Sequence, residues 1–234
     1  MSKKAIVLLS GGMDSATCLW LAKQQGFAVY ALSFSYGQRH DVELHAAKNL
    51  ATEVAASSHR ILNLDLPDAS GSSLTNSEIL PPDYKAQEKA AKTSEISIPN
   101  TYVPARNTIF LAYALSWAEA IAAEVIYIGA SAIDYSGYPD CRPEYFAAWQ
   151  RLLSLATAAT TSGKHIEIRT PLLHLSKAET IVLGESLGLD YAKTISCYRS
   201  NQQGQACGSC DSCMLRARGF KEAGVKDNTR YVVA

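Results

Sequence analysis

The sequence predicts an α/β fold, a Rossmann-like, doubly wound parallel five-stranded sheet with helices on both faces, followed by a small cysteine-rich segment. Three observations carry this. Short apolar runs alternate with segments of helical periodicity along most of the chain, and such alternation means parallel strands joined by crossover helices. The first apolar run ends in a Gly/Ser turn that leads straight into a helical pattern, which is where open α/β sheets bind ligands. At 234 residues the chain can bury a full core as one such domain.

The apolar run 5–9 reads as a buried strand, and 16–25 carries apolar residues at helical spacing up to a stopping Gly26. A second strand is expected at 28–33, an amphipathic helix at 42–56 and a third strand at 60–64. From 67 to 99 apolar periodicity fades among Ser, Pro, Lys and Glu, the pattern of an insertion or mobile loop. Alternation resumes with a helix near 108–122, a strand at 125–128, a helix near 143–158 and a strand at 166–168. Ser176-Lys177-Ala178-Glu179 is a capping-box sequence that opens the last long helix, which stops near Gly188. Residues 1–190 form the main domain on this reading, and 191–234 a tail with its own helix.

Lysines plus arginines equal aspartates plus glutamates, 22 against 22, so no global field favours a polyanion, and direct nucleic-acid binding is not implied. Lys3-Lys4 with five apolar residues falls short of a signal peptide's apolar core, and no apolar run reaches membrane-spanning length. A cytoplasmic protein without a membrane partner is expected.

Six cysteines are placed unevenly. Cys197, Cys207, Cys210 and Cys213 cluster, whereas Cys18 and Cys141 stand apart. Four soft ligands within seventeen residues suit one tetrahedral, structural Zn2+ per chain, with no open position for water activation. An iron–sulfur cluster is the alternative ligand set, and a redox pair would leave two of the cysteines unexplained. Because Cys197 approaches separately from the C-x-x-C-x-x-C run, the ion should clip the tail to the edge of the main domain.

Ser10-Gly11-Gly12-Met13-Asp14-Ser15 lies at the strand-to-helix turn, where unpaired N–H groups and the positive helix end face an anion. Neither G-x-x-x-x-G-K-[ST] nor G-x-G-x-x-G is present. The pattern S-G-G-x-D-S resembles the pyrophosphate loop of the N-type ATP pyrophosphatases, which split ATP into AMP and pyrophosphate and transfer the adenylyl group to a substrate oxygen. The alternative reading of the turn is a helix cap made by Asp14 or Ser15.

Further segments extend the likeness. Ser35-Tyr36-Gly37-Gln38-Arg39-His40, Tyr102-Val103-Pro104-Ala105-Arg106-Asn107, Gly137-Tyr138-Pro139-Asp140-Cys141-Arg142-Pro143 and the cysteine cluster follow in order. With the loop, they resemble the 7-cyano-7-deazaguanine synthase family over roughly residues 5 to 220. The resemblance implies an ATP-dependent carbon–nitrogen ligase of queuosine biosynthesis that joins 7-carboxy-7-deazaguanine and ammonia. The acid is adenylated, ammonia displaces AMP to give the amide, and a second ATP activates the amide oxygen so that its loss leaves the nitrile.

On that resemblance ATP lies against Leu8, Leu9, Ser10, Gly11, Gly12, Met13, Asp14, Ser15, Ala16, Thr17 and Cys18, with Arg106 nearby. Ser10, Asp14, Ser15 and Lys177 are the catalytic candidates, Asp14 also as the protein ligand of an ATP-bound Mg2+. Phe34, Tyr36, Gln38, Arg39, Asp134, Tyr138, Asp140 and Arg142 are the candidates for the purine-like substrate: aromatic rings to stack, Asp140 to accept from the base, Arg142 to hold the carboxylate. Tyr135 is a further stacking candidate, His40 a proton-shuttle candidate, and Cys141 reads as a packed thiol. No glutaminase part is expected, so ammonia arrives free or from another protein. The resemblance also implies a homodimer. The readings set against this are a tRNA thiolase or lysine ligase sharing the loop, and, from another class, a zinc-clipped nucleic-acid-binding module, which would bind RNA without turning over ATP.

Overall fold

A computed structural model describes residues 2–37, 42–66, 71–76, 78–79, 98–131 and 137–232. Its sheet is five-stranded and parallel, in the order β3 (Ser58–Asn63), β2 (Ala28–Ser35), β1 (Lys4–Leu8), β4 (Val125–Tyr127), β5 (Glu167–Arg169). β1 is central because it can be: Ala5, Ile6 and Val7 are wholly buried and carry no polar side-chain atom that needs water. Ala5 pairs with Val29 on one side and Val125 on the other. The chain moves outward from β1 through β2 to β3, then returns to place β4 on β1's other side. This reversal opens a crevice above the carboxyl ends of β1 and β4, the switch point where doubly wound sheets take ligands.

Alternation along β1 supplies both core layers. Ala5 and Val7 pack with α1 (Met13–Gln24), α2 (Val42–Glu53), α6 (Lys177–Ser186) and α7 (Asp211–Ala223), whereas Ile6 and Leu8 pack with α3 (Arg106–Ile121) and α4 (Pro143–Leu153). Helices therefore cover both faces, as the sequence predicts. Phe220 of α7 and Tyr191 belong to the first of these layers, so the tail shares the main core.

Element ends differ from expectation where local chemistry overrides periodicity. α1 begins at Met13 and not 16, since Gly12 is extended and nothing after it resists the helix. The helix expected over 143–158 stops at Leu153. Thr157 then caps a separate single turn, α5 (Ala158–Thr161), by accepting from the Thr160 N–H at 3.1 Å. The capping box at α6 is present as read: Ser176 Oγ accepts from the Glu179 N–H at 3.2 Å and Glu179 Oε2 accepts from the Ser176 N–H at 2.8 Å. Of the expected insertion, residues 71–76, 78–79 and 98–99 are described; Ser73 is buried and tied to the Asn100 carbonyl at 2.7 Å. Among the described residues no helix is long and apolar enough to cross a membrane.

Candidate active site and metal centre

The crevice holds a cavity of about 380 Å³, within the usual range of small-molecule sites. Its floor is the loop between β1 and α1. Gly11 has φ +91°, a left-handed conformation that costs glycine little, and it lets α2 come close: a Cβ there would stand 2.2 Å from the Glu43 carbonyl oxygen. Ser15 Oγ accepts from the Ser10 N–H at 3.2 Å and donates to the Gly12 carbonyl at 3.0 Å, which fixes the turn from within. Gly12, at the N-cap of α1, offers no side-chain acceptor, so neither Asp14 nor Ser15 caps the helix in the alternative sense. The Gly12 N–H donates to Ser10 Oγ at 3.3 Å, and those of Met13, Asp14 and Ser15, which no acceptor among the described residues takes, remain available to an anion.

Gly129, just past β4, runs against the first turn of α1, where a Cβ would lie 2.7 Å from the Asp14 carbonyl carbon. Since backbone cannot yield as a flexible side chain does, Gly129→Ala should cost about 1–3 kcal/mol of stability. It should also weaken nucleotide binding; urea unfolding and ATP titration calorimetry measure both effects.

Lys177 and Asp14 meet across the cavity, Nζ to Oδ1 at 2.8 Å, and both line it. Lys177 enters from the first turn of α6. Its stem is gripped by α7, because Gly219 has no side chain: a Cβ there would lie 2.6 Å from Lys177 Cγ. The tail helix therefore aims the lysine.

The opposite wall is aromatic and basic. Phe34 is stacked on Phe110, with centroids 3.9 Å apart and rings 2° from parallel, and Tyr36 Oη accepts from Arg106 Nη1 at 3.3 Å. Tyr138 Oη is 2.6 Å from Thr101 Oγ1. Burial works against the Arg106 cation, but Tyr36, Tyr138 and Asp140 outweigh it and hold the guanidinium above its ordinary range, so it stays charged.

Several expected residues stand elsewhere. Ala16, Thr17 and Cys18 lie in the core behind the loop and not on the cavity wall, because α1 turns them away; Thr17 Oγ1 is 2.7 Å from Tyr191 Oη, and burial pushes the Cys18 thiol up. Asp140 is buried beneath the wall, where Oδ2 accepts from the Asn107 N–H at 3.1 Å. The start of α3 needs that acceptor, since its N-cap Ala105 has none. Arg142 is exposed and donates to the Pro139 carbonyl at 3.1 Å. Gln38, Arg39, His40, Asp134 and Tyr135 lie outside the described residues.

The structure adds residues to the wall that the sequence does not single out: Glu43 from α2, Phe110 from α3, and Leu215 and Arg216 from α7. Burial raises the Glu43 carboxyl to about 7, although the Arg106 guanidinium opposes the rise. Only its place, in the first turn of the helix after the Ser35 to His40 segment, could have pointed to it. Arg216 is buried and donates to the Tyr191 carbonyl and to Thr194 Oγ1, both at 2.8 Å, so it ties the tail to the main layer.

Cys197, Cys207, Cys210 and Cys213 converge, with all four Sγ atoms within 4.8 Å of one another. The Cys207–Cys213 and Cys197–Cys210 separations are 3.9 and 4.0 Å. Sulfurs about 2.3 Å from a tetrahedral ion would stand about 3.8 Å apart, so the set is compatible with a metal ion. Backbone N–H groups of Arg199 and Cys207 donate to Cys197 Sγ at 3.2 Å, and that of Cys210 to Cys207 Sγ at 3.4 Å, which stabilises thiolate charge. Hydrogen bonds from Cys197 and Cys213 lower the Cys210 thiol, and bonds within the same set raise those of the two donors. Cys197 and its neighbours Ser196 and Tyr198 also line the cavity, so the cysteine cluster builds part of its wall.

Residues 4–224 match the family described as queuosine biosynthesis protein QueC. A 7-cyano-7-deazaguanine synthase of Coxiella burnetii (strain RSA 331 / Henzerling II) is 57% identical over 230 residues, covering 98% of each chain. That of Legionella pneumophila subsp. pneumophila (strain Philadelphia 1) is 57% identical over 229 residues, covering 98% of this chain and 97% of its own. Among solved structures, an NMN synthetase from Francisella tularensis aligns with a TM-score of 0.49 at 15% identity, covering 97% of this chain and 79% of that one.

Proposed function

The chain belongs to the queuosine biosynthesis protein QueC family, and from that premise we propose that it is an ATP-dependent ligase that converts 7-carboxy-7-deazaguanine and ammonia into 7-cyano-7-deazaguanine. The observation that carries this reading is the convergence of an uncapped helix N-terminus and Lys177 on one side of a cavity with an aromatic and basic wall on the other. A carboxylate is a poor electrophile at neutral pH. Attack of its oxygen on the α-phosphorus of ATP forms an acyl-adenylate and breaks the bond to pyrophosphate. The α1 N–H groups, Ser10 and Lys177 face the charge that appears on the leaving pyrophosphate, so they stabilise the transition state more than bound ATP. Tyr36, Tyr138 and the Phe34–Phe110 stack give the flat deazaguanine ring an apolar surface. Arg106 offers a cation to its carboxylate or to the nucleotide.

Asp14 is the protein ligand for Mg2+ carried in with ATP, an ion that neutralises phosphate charge. The four cysteines are assigned to one Zn2+, which holds the tail against the cavity and takes no part in the reaction. The division at about residue 190 is functional on this reading, with the tail as a clip and not a second folding unit. Ammonia is taken free or from another protein, and a cytoplasmic homodimer completes the proposal; sedimentation measures its mass.

Incubation with ATP, Mg2+, ammonium and the acid should yield the nitrile, AMP and pyrophosphate by way of the primary amide, and the amide supplied alone should also react. Mass spectrometry that finds the acid untouched, with AMP formed only when tRNA is added, would overturn the assignment in favour of a tRNA-modifying ligase.

A further inference from the structure

Conversion of ammonia into a nitrile nitrogen requires three protons to leave that nitrogen. Attack of ammonia on the acyl-adenylate breaks the C–O bond to AMP, whose phosphate keeps the electron pair, and one proton must leave nitrogen to give the neutral amide. Adenylation of the amide oxygen and expulsion of AMP remove two more protons from the same nitrogen as the C≡N bond completes. A base beside that nitrogen is therefore needed in both half-reactions.

Among the described residues on the cavity wall there is no histidine, and the carboxylates are Asp14 and Glu43. Asp14 is engaged with Lys177 at 2.8 Å and stands at the phosphate side. Glu43 makes no hydrogen bond and no ion pair among the described residues, and its backbone is held in place: its carbonyl oxygen lies where a Cβ on Gly11 would come within 2.2 Å, in the first turn of α2. Glu43 lines the cavity beside the phosphate loop, and its carboxylate feels Arg106 of the aromatic wall and Tyr198, which places it near the reacting carbon if the phosphates occupy the loop and the ring the wall.

We propose that the Glu43 carboxylate is the base that takes protons from the substrate nitrogen, both as ammonia becomes the amide and as the amide becomes the nitrile. The inference rests on the function proposed above. Each proton accepted is returned to solvent before the next is taken. Burial supports the role by holding this carboxyl at about 7, near the working pH, where a group both accepts and releases protons readily. The groups that face it are Arg106 from α3, kept cationic, Tyr36 at the end of β2, and Tyr198 from the metal segment, whose phenol burial holds neutral. On its own helix His45 and Lys48 are exposed.

The test uses the full-length protein with the amide, ATP and Mg2+, a half-reaction free of ammonia's own ionisation. In the wild type, nitrile formation should rise with pH to a plateau, with its acid limb near 7. Glu43→Gln should slow it by about 100-fold or more and abolish that limb. Glu43→Asp, which keeps the charge but shortens the reach, should recover part of the rate and restore an acid limb at a shifted position. A Glu43→Gln protein that works within threefold of the wild type and keeps the same limb overturns the role. If that variant does not fold, a Glu43→Asp protein with the wild-type rate and an unmoved limb overturns it equally. A wild type inert toward the amide defeats the nitrile-forming reading and this inference with it, whereas an active wild type matched by its variants defeats the inference alone.

Discussion

Lys177→Ala should lower nitrile formation by roughly a hundred- to a thousand-fold while the protein stays folded, because on the proposed function this cavity-lining lysine faces charge that develops only as pyrophosphate departs. The loss should fall mainly on kcat, and single-turnover AMP formation should slow as much as the complete reaction. Asp14→Ala should be at least as damaging, since it removes the proposed magnesium ligand and releases Lys177 from the one position in which the pair holds it. The two losses should not add: partners in direct contact act as a unit, so the double variant should resemble the worse single one. Lys177→Ala turning over at the parental rate would remove the lysine from the mechanism and leave the loop's backbone to act alone.

The second large effect is expected at the metal centre. Cys210→Ser removes a buried cysteine from the proposed zinc-ligand set, whose neighbours line the cavity and whose helix carries Gly219 against Lys177. Loss of bound metal should cost several kcal/mol of folding free energy, a fall in Tm on the order of 10 °C for a chain of this length. Elemental analysis should find one zinc per chain in the parent and none in the variant, and activity should fall with the folded fraction and not ahead of it. Iron with visible absorption in the parent would replace zinc in the assignment. A metal-free Cys210→Ser protein with parental Tm would show that the clip is dispensable.

Much of this architecture is legible in the sequence, and the reasons are local. A strand buried on both faces must be continuously apolar, so β1 announces itself; Ser176 and Glu179 announce α6 because a capping box has a fixed spacing. The four cysteines are legible for the same reason, since the C-x-x-C-x-x-C spacing itself brings thiols together. What the sequence does not disclose is direction. Thr17 and Cys18 adjoin the phosphate loop in sequence, but one turn of α1 carries them into the core. Asp140 lies in a promising Gly/Pro segment, yet a buried carboxylate is drawn to the nearest unpaired N–H, and the start of α3 supplies it. Glu43 is the converse case. Nothing in an ordinary amphipathic helix marks one acidic residue, and only the packing of α2 on Gly11 brings it into the cavity.

The central claim is that oxygen atoms of the substrate, and not of water, receive the adenylyl group. The measurement closest to it follows heavy oxygen from an acid labelled in both carboxylate positions, with AMP and nitrile analysed by mass spectrometry after complete turnover. Two AMP should form per nitrile, each carrying one heavy oxygen on its phosphate, because one oxygen departs with AMP when ammonia attacks and the other when the nitrile forms. Unlabelled AMP, or label appearing in pyrophosphate or water, would contradict the account.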